Sequence, residues 1–151
     1  MALEVEPCKL VDIEVSAELP GLLAEYGEES ATDELGPVAP QIPAYRAMEA
    51  AGVFRAFSAR LDGRLIGFLF LLTPVLPHFG RTVGVCESYF VASAHRKTGA
   101  GTLLRRAAET AGLAAGAAGI MFSAPIGGVL ERVLPCVGYR DTARIFFKAF
   151  R

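Results

Sequence analysis

The alternation of apolar and polar residues divides the first third of the chain into one strand and two helices. Residues 9–15 (KLVDIEV) alternate between apolar and polar side chains, which predicts a strand. Residues 16–30 follow with helical spacing, and Ser16 can cap them, which predicts a helix. The proline-rich residues 34–43 predict a loop, and residues 44–51 predict a second helix that ends at a glycine.

The middle of the chain predicts three consecutive antiparallel strands. Residues 53–61 and 64–73 are strand-like, and the Asp-Gly pair between them is a hairpin signal. A second proline-rich connection leads to residues 82–92, which are β-branched and aromatic and predict the third strand.

The last third predicts a helix–strand–helix–strand unit. Residues 99–115 have a helical apolar stripe, with Arg105, Arg106 and Glu109 expected to face water. After it we expect a strand at 118–125, a short helix stopped at Pro135 and a final strand at 139–150. The whole order predicts one α/β domain over residues 1–151, with a mixed sheet covered by helices: antiparallel strands followed by a β-α-β-α-β half.

Composition agrees with a folded domain. The chain has 151 residues, 52% of them hydrophobic, and a mean hydropathy of +0.39, which argues against disorder. No apolar run reaches membrane-spanning length, and the N-terminus lacks the pattern of a secretory signal, so we expect no membrane partner. Cys8, Cys86 and Cys136 are far apart and form no metal-ligand cluster, which favours reduced thiols, a cytoplasmic location and no metal.

The charge distribution is asymmetric. The net charge is −1, which argues against nucleic acid as a partner, but residues 1–35 carry −9 and the remainder carries +8. Such a chain either holds an anion on one side and a cation on the other, or presents two solvated faces.

The loop HRKTGAG, residues 95–101, indicates an anion site. It lies between a predicted strand and a predicted helix, and a helix N-terminus exposes unpaired N–H groups and a partial positive charge. Gly99 and Gly101 remove Cβ atoms so that an anion can approach, while Arg96 and Lys97 add charge and the hydroxyls of Thr98 and Thr102 add donors. The geometry suits a phosphate or a pyrophosphate.

Two common nucleotide motifs are excluded at this loop. No Lys-Ser/Thr pair follows the glycines, and residue 104, where a third glycine of GxGxxG would fall, is leucine. The pattern is instead Arg-x-x-Gly-x-Gly between the third strand of an antiparallel run and a long helix. In this motif and in its element order from about residue 9 to 150, the sequence resembles the GCN5-related N-acetyltransferase (GNAT) family, and within it the small acetyltransferases described as phage-like.

The resemblance implies a site for acetyl-CoA. The backbone N–H groups of Lys97 to Gly101, including Ala100, would cradle its pyrophosphate, and Arg96 would lie nearby. The pantetheine arm would pair with the backbone of Phe90 and Val91, in a gap between that strand and the next parallel strand.

The implied reaction is the direct attack of a primary amine on the thioester, and it needs a base. Glu87 is the best candidate because it is the only acid between Asp62 and Glu109 and lies on an otherwise mostly apolar strand, which would favour proton uptake. The alternative is a glutamate that points at solvent or pairs with an arginine. His78, in a loop at the strand ends, is the second candidate, although an exposed loop histidine is the simpler interpretation.

The general acid of the family is missing here. Many members carry a tyrosine on the last helix where this chain has Leu134, so either Tyr139 or Tyr89 replaces it or the thiolate leaves unaided. The family's acceptor region would correspond to Tyr26, Glu28 and Glu29, with Ser123 on the far wall. We therefore expect a small amine acceptor (polyamine-like, amino-acid or aminoglycoside-like) or a lysine side chain.

Two other hypotheses stay open. A degenerate member would bind CoA as a sensor or an interaction module, which the missing tyrosine favours and Glu87 disfavours. A domain that dimerises through its exposed sheet edges would have only a vestigial ligand site.

Overall fold

A computed structural model describes residues 1–150, so Arg151, the last residue of the predicted domain, lies outside the described part. The strands are β1 Leu3–Cys8, β2 Phe54–Leu61, β3 Arg64–Leu72, β4 Val75–Leu76, β5 Arg81–Thr82, β6 Gly84–Val91 and β7 Ile120–Met121. The helices are α1 Leu10–Glu14, α2 Leu19–Ser30, α3 Ile42–Ala50, α4 Ala100–Ala114 and α5 Val129–Cys136, and a 3₁₀ helix spans Ser93–Thr98.

The fold is a mixed α/β architecture with a mostly antiparallel sheet, as predicted. The sheet order is β1-β2-β3-β6-β7; the first four strands are antiparallel neighbours, and β7 joins β6 in parallel. The short strands β4 and β5 form a separate hairpin. Within residues 1–150, no helix combines the length and the apolar content that crossing a membrane requires.

Helices cover both faces of the sheet and bury a cluster on each. One cluster contains Phe54, Phe68, Phe70 and Phe90 and packs against α1, α2 and α3. The other is formed on the α4 side, where Leu104 and Ala108 are fully buried beneath that helix. Burial of these apolar side chains on two faces is the main stabilising contribution.

Residues 9–15 do not form the predicted strand. The strand lies earlier, at Leu3–Cys8, and residues 10–14 form α1, in which Leu10 and Ile13 are buried. Their spacing of three places both side chains on one helical face, and the Asp12 carboxylate accepts a hydrogen bond from the Lys9 N–H at 2.9 Å, which caps the first turn. The next helix accordingly begins at Leu19 rather than at residue 16.

The predicted strand at residues 139–150 is also absent from the described residues. Residues 140–150 have no regular secondary structure and are exposed, and the strand predicted at 118–125 is reduced to Ile120–Met121. The last helix continues through Pro135 and ends at Cys136. Because a strand needs a neighbouring backbone to pair with, β-branched and aromatic composition alone does not form one.

Candidate active site

A cleft of about 540 Å³ lies between the sheet and the helices α1, α2 and α3. The aromatic rings of Tyr26, Tyr45, Phe68 and Phe70 contribute to its lining, and Tyr45 packs edge-on against Phe70 with ring centroids 5.4 Å apart. Glu87, on strand β6, brings a carboxylate to this cleft. The volume falls in the range of roughly 300–1,000 Å³ that is usual for small-molecule sites.

A β-bulge directs Glu87 into the cleft. Ser88 pairs with Phe70 and Cys86 pairs with Leu71, so Glu87 is an extra residue without a partner opposite it on β3. Such a bulge breaks the strict alternation of side chains. As a result Glu87 and Ser88, although adjacent in sequence, both line the same cleft.

The Glu87 carboxylate is held by two hydroxyl donors. The Tyr45 hydroxyl donates to Oε1 at 2.9 Å, and the Ser88 hydroxyl donates to Oε2 at 2.6 Å. The side chain is exposed, so the apolar enclosure expected from the strand sequence is not found, and the carboxylate does not pair with an arginine in residues 1–150. Burial, reinforced by the negative charge of Glu87, raises the pKa of Tyr45 above its ordinary value.

Tyr26, a predicted acceptor residue, also lines the cleft. Its ring contacts Phe68 and Phe90, with centroids 5.8 and 5.2 Å away. Burial raises the pKa of its hydroxyl, so Tyr26 stays neutral at ordinary pH.

Strands β6 and β7 pair only at their beginnings. Gly84 pairs with Ile120 and Val85 with Met121, and beyond these residues β6 has no partner on that side. The later residues Phe90 and Val91 still pair with β3 on their other side. The free edge of β6 therefore leaves backbone groups available to an extended ligand, at the position where the sequence predicts the pantetheine arm.

The glycine-rich loop leads from β6 through the 3₁₀ helix into α4. Gly99 has a φ of +90°, the left-handed conformation that favours glycine, and an added Cβ there would meet no atom within 4 Å. The Thr98 hydroxyl accepts a hydrogen bond from the Ala100 N–H at 3.3 Å. Gly101 and Thr102 lie in the first turn of α4, where backbone N–H groups have no acceptor within their own helix.

Gly101 has a packing role that the sequence does not reveal. A Cβ at this position would lie 3.1 Å from the Tyr89 hydroxyl, which donates to the Gly101 carbonyl at 2.5 Å. Part of the space that this glycine leaves open is thus used by a tyrosine of β6.

Arg96 binds helix α2. Its guanidinium donates to both carboxylate oxygens of Glu29 at 2.7 Å, and its Nε donates to the Val91 carbonyl at 2.9 Å. The Glu25 carboxylate accepts a hydrogen bond from the Ser93 N–H at 2.7 Å, and the hydrogen bonds from Ser93 hold the pKa of Glu25 below its usual range. The two predicted site residues Arg96 and Glu29 therefore neutralise each other.

The acidity of residues 1–35 is partly compensated within the fold. Besides the Arg96–Glu29 pair, Arg46 pairs with Glu14 at 2.5 Å and Arg64 pairs with Glu18 at 3.2 Å. The −9 segment is therefore not a uniformly anionic surface. The charge that faces the cleft is local to Glu87 and Glu14.

Tyr139 belongs to a network on α4. Its hydroxyl donates to Glu109 at 2.7 Å, and Glu109 also pairs with Arg105. Arg105 is buried, so the expectation that it faces water is wrong. Leu134, at the position of the family's tyrosine, is buried and supplies no hydroxyl.

The other predicted site residues do not line the cleft. His78 is exposed in the turn between β4 and β5, against Phe79. Glu28, Lys97 and Ser123 are exposed. No cluster of three or more metal-ligating side chains occurs in residues 1–150.

Sequence reasoning missed Tyr45 and Ser88. Both donate to Glu87. Tyr45 lies on α3, 42 residues before Glu87, and Ser88 follows Glu87 directly on β6. Ser88 is the neighbour of an isolated acid on an apolar strand, which is a usable signal. No sequence pattern marks Tyr45, because its contact with Glu87 arises only when α3 packs against the sheet.

Comparison with known proteins agrees with this geometry. Residues 21–125 match the model of the acetyltransferase (GNAT) family. The structure is similar to a ribosomal-protein-alanine N-acetyltransferase from Brucella melitensis biovar Abortus 2308 (TM-score 0.76, 20% identity, 100% of this chain and 99% of the other covered). It is also similar to AAC(6')-Iy in complex with the bisubstrate analogue CoA-S-monomethyl-acetylneamine (TM-score 0.74, 19% identity, 100% and 99% covered).

A third similar structure is an aminoglycoside acetyltransferase from an uncultured soil metagenomic sample (TM-score 0.73, 23% identity, 100% of both chains covered). No curated protein matches the chain. Because the family model covers more than half of the sequence, the chain belongs to the GNAT acetyltransferase family, and it is an N-acetyltransferase by class.

Proposed function

We propose that this protein transfers an acetyl group from acetyl-CoA to the primary amine of a small molecule, with Glu87 as the base. The observation that carries the proposal is the bulge in β6. The bulge directs the hydrogen-bonded Glu87 carboxylate into a cleft of small-molecule size. Glu87 lies on β6, the same strand that, among the described residues, has no partner on its β7 side after Val85.

The residues at the β6–α4 junction fit the donor. Open space beside Gly99 and unpaired N–H groups at the start of α4 suit a diphosphate, and exposed Lys97 supplies a cation near it. Arg96 is engaged by Glu29, so its part in this site is to fix the loop against α2. The pantetheine amides would bind along the free edge of β6 near Phe90 and Val91, where the Val91 carbonyl already accepts a hydrogen bond from Arg96.

The chemistry assigned to this chain is proton acceptance from the amine. As the nitrogen bonds to the acetyl carbon and the carbon–sulfur bond breaks, the amine proton passes to the Glu87 carboxylate and the sulfur leaves with its electron pair. The hydroxyls of Tyr89 and Tyr139 already donate to Gly101 and Glu109. We therefore favour departure of the thiolate without a tyrosine acid.

An acetylation assay with a Glu87 variant tests the proposal. Release of the CoA thiol is measured with acetyl-CoA and a panel of amines, for the wild type, Glu87→Gln and the control Glu4→Gln, whose exposed carboxylate lies on β1 at the far edge of the sheet. Loss of a general base lowers kcat by about 10²–10⁴-fold, so we expect that loss only in Glu87→Gln, with acetyl-CoA binding retained. Wild-type turnover by Glu87→Gln would refute the assignment.

The alternative is a CoA-binding sensor or interaction module. The absence of a hydroxyl at Leu134 favours it. It predicts binding of CoA by calorimetry with no thiol release from any amine, whereas the enzyme hypothesis predicts both.

We also propose a homodimer and a cytoplasmic location. Ile145, Phe146 and Phe150 are at least 86% exposed, which a second copy would cover. Sedimentation equilibrium of the full chain and of a form lacking residues 140–150 tests the dimer, and a monomer in both cases rejects it.

The three free cysteines support the proposed cytoplasmic location, which cell fractionation tests.

A further inference from the structure

The cleft beside Glu87 is mostly apolar. Its lining includes the side chains of Leu10, Ile13, Leu19, Leu23, Phe68 and Phe70. Among the described residues, none of the side chains that line it is basic. The cleft therefore favours a ligand with an apolar body and offers no cation to an anionic group.

The cleft offers one carboxylate that has no cationic partner. Glu14 and Glu87 both line it, but Glu14 is paired with Arg46 at 2.5 Å. Glu87 is bonded to neutral hydroxyls alone in the described part of the chain. Glu87 can therefore receive one amino group of a ligand. A second positive charge on the ligand would have only Glu14, which Arg46 already occupies.

The loop that closes the cleft presents apolar side chains to solvent. Leu35 and Val38 line the cleft, yet they are 77% and 37% exposed. Leu35 is fixed in a tight turn, because its N–H donates to the Thr32 hydroxyl at 3.1 Å and the Gly36 N–H donates to the Thr32 carbonyl at 2.7 Å. Apolar side chains held open at the mouth of a site gain free energy when an apolar ligand covers them.

We infer that the acceptor is a primary amine on an alkyl or aryl body, with no second charge; this rests on the acetyltransferase function proposed above. Glu87 receives the amino group, and the apolar walls and the loop at Leu35 and Val38 hold the rest. A carboxylate on the acceptor is repelled by Glu87 and finds no basic side chain in the described lining. A hydroxyl-rich body loses its water and meets few polar partners on the mostly apolar walls. The inferred acceptor class excludes the polyamines, amino acids and aminoglycosides that the sequence analysis had included.

Acceptors of matched length test the inference. kcat/KM is compared for hexylamine, 1,6-diaminohexane and 6-aminohexanoate, and across n-alkylamines from propyl to octyl. We expect kcat/KM to rise up to about fourfold per methylene, the factor that corresponds to about 0.8 kcal/mol of burial. We expect hexylamine to exceed both charged analogues by about tenfold or more.

A matched pair of variants connects the effect to the loop. Leu35→Ser should lower kcat/KM for octylamine about tenfold and leave that for propylamine within twofold, because the short chain does not reach the loop. The control is Leu113→Ser, on α4, whose side chain is 78% exposed and does not line the cleft. It should match the wild type with every amine.

Calorimetric titration of octylamine into the protein with CoA gives a readout independent of turnover. A flat chain-length series, or a preference for the diamine, the amino acid or an aminoglycoside, overturns the inference while acetyl transfer stands. If no amine is acetylated but octylamine binds and Leu35→Ser weakens it, the proposed function fails and the ligand class stands. If no amine is acetylated and octylamine does not bind, both fail.

Discussion

Replacing Tyr139 by phenylalanine separates a catalytic role from a structural one. The Tyr139 hydroxyl donates to Glu109 at 2.7 Å, and Glu109 is also held by the buried Arg105. The ring packs edge-on against Phe122 with centroids 5.4 Å apart, a contact that phenylalanine retains. The substitution therefore removes one hydrogen bond and little else.

The expected loss of stability is about 1 kcal/mol. A hydrogen bond to a charged acceptor contributes roughly 1.5–3 kcal/mol, but the Glu109 side chain is 35% exposed, so water screens the interaction and partly replaces the lost donor. For a domain of this size, about 1 kcal/mol lowers Tm by roughly 2–4 °C. We expect kcat to stay within about twofold, because the hydroxyl is already committed to Glu109.

Alkaline denaturation gives a second signature. Burial, followed by the hydrogen bond to Glu109, raises the pKa of Tyr139 above its ordinary value of about 10. The folded state then keeps this proton where the unfolded state has lost it, so the stabilisation is complete below pH 10 and declines as the pH rises above 10. Wild-type stability should therefore fall more steeply above pH 10 than that of Tyr139→Phe.

Urea unfolding at pH 7 and pH 10.5, together with steady-state acetylation kinetics, measures these effects. A loss of kcat of a hundredfold or more at unchanged stability would refute the structural role and identify Tyr139 as the general acid. Tyr45→Phe serves for comparison, since it removes a similar hydroxyl that donates to Glu87.

Two further predictions concern packing and thiol reactivity. Gly67→Ala should destabilise the fold by about 1–3 kcal/mol in urea unfolding, because its Cβ would lie 2.7 Å from the Phe90 carbonyl oxygen. Gly112→Ala in α4 should instead stabilise the fold by about 0.5–1 kcal/mol, because its Cβ would meet no atom within 4 Å. Equal effects of the two substitutions would contradict this packing. Burial raises the pKa of Cys86 to about 12, so at pH 8 iodoacetamide should label exposed Cys136 first and half-buried Cys86 much more slowly, as mass spectrometry would show. Equal labelling rates for the two thiols would contradict this difference.

The sequence was misleading where two periodicities overlap or where pairing depends on a distant partner. Residues 10–14 read as an alternating strand, but Leu10 and Ile13 also share a helical face, and the cap from Asp12 decides for the helix. Residues 139–150 have strand composition, yet no neighbouring strand pairs with residues 140–150 in the described structure.

The residues alone determined the class of the protein. The hairpin signal before β3, the glycine-rich loop and the helix after it are local features, since they depend on backbone conformations that glycine and the apolar period favour. They were sufficient for the family and for the position of the glycine-rich loop.

The cleft around Glu87 was decided only by the tertiary structure. A bulge turns Glu87 toward the cleft, α3 brings Tyr45 to it, and Arg46 occupies the neighbouring Glu14. Each of these depends on register and packing between segments tens of residues apart. Side-chain pairing across such distances is set by how the layers meet, which the order of residues along the chain does not encode locally.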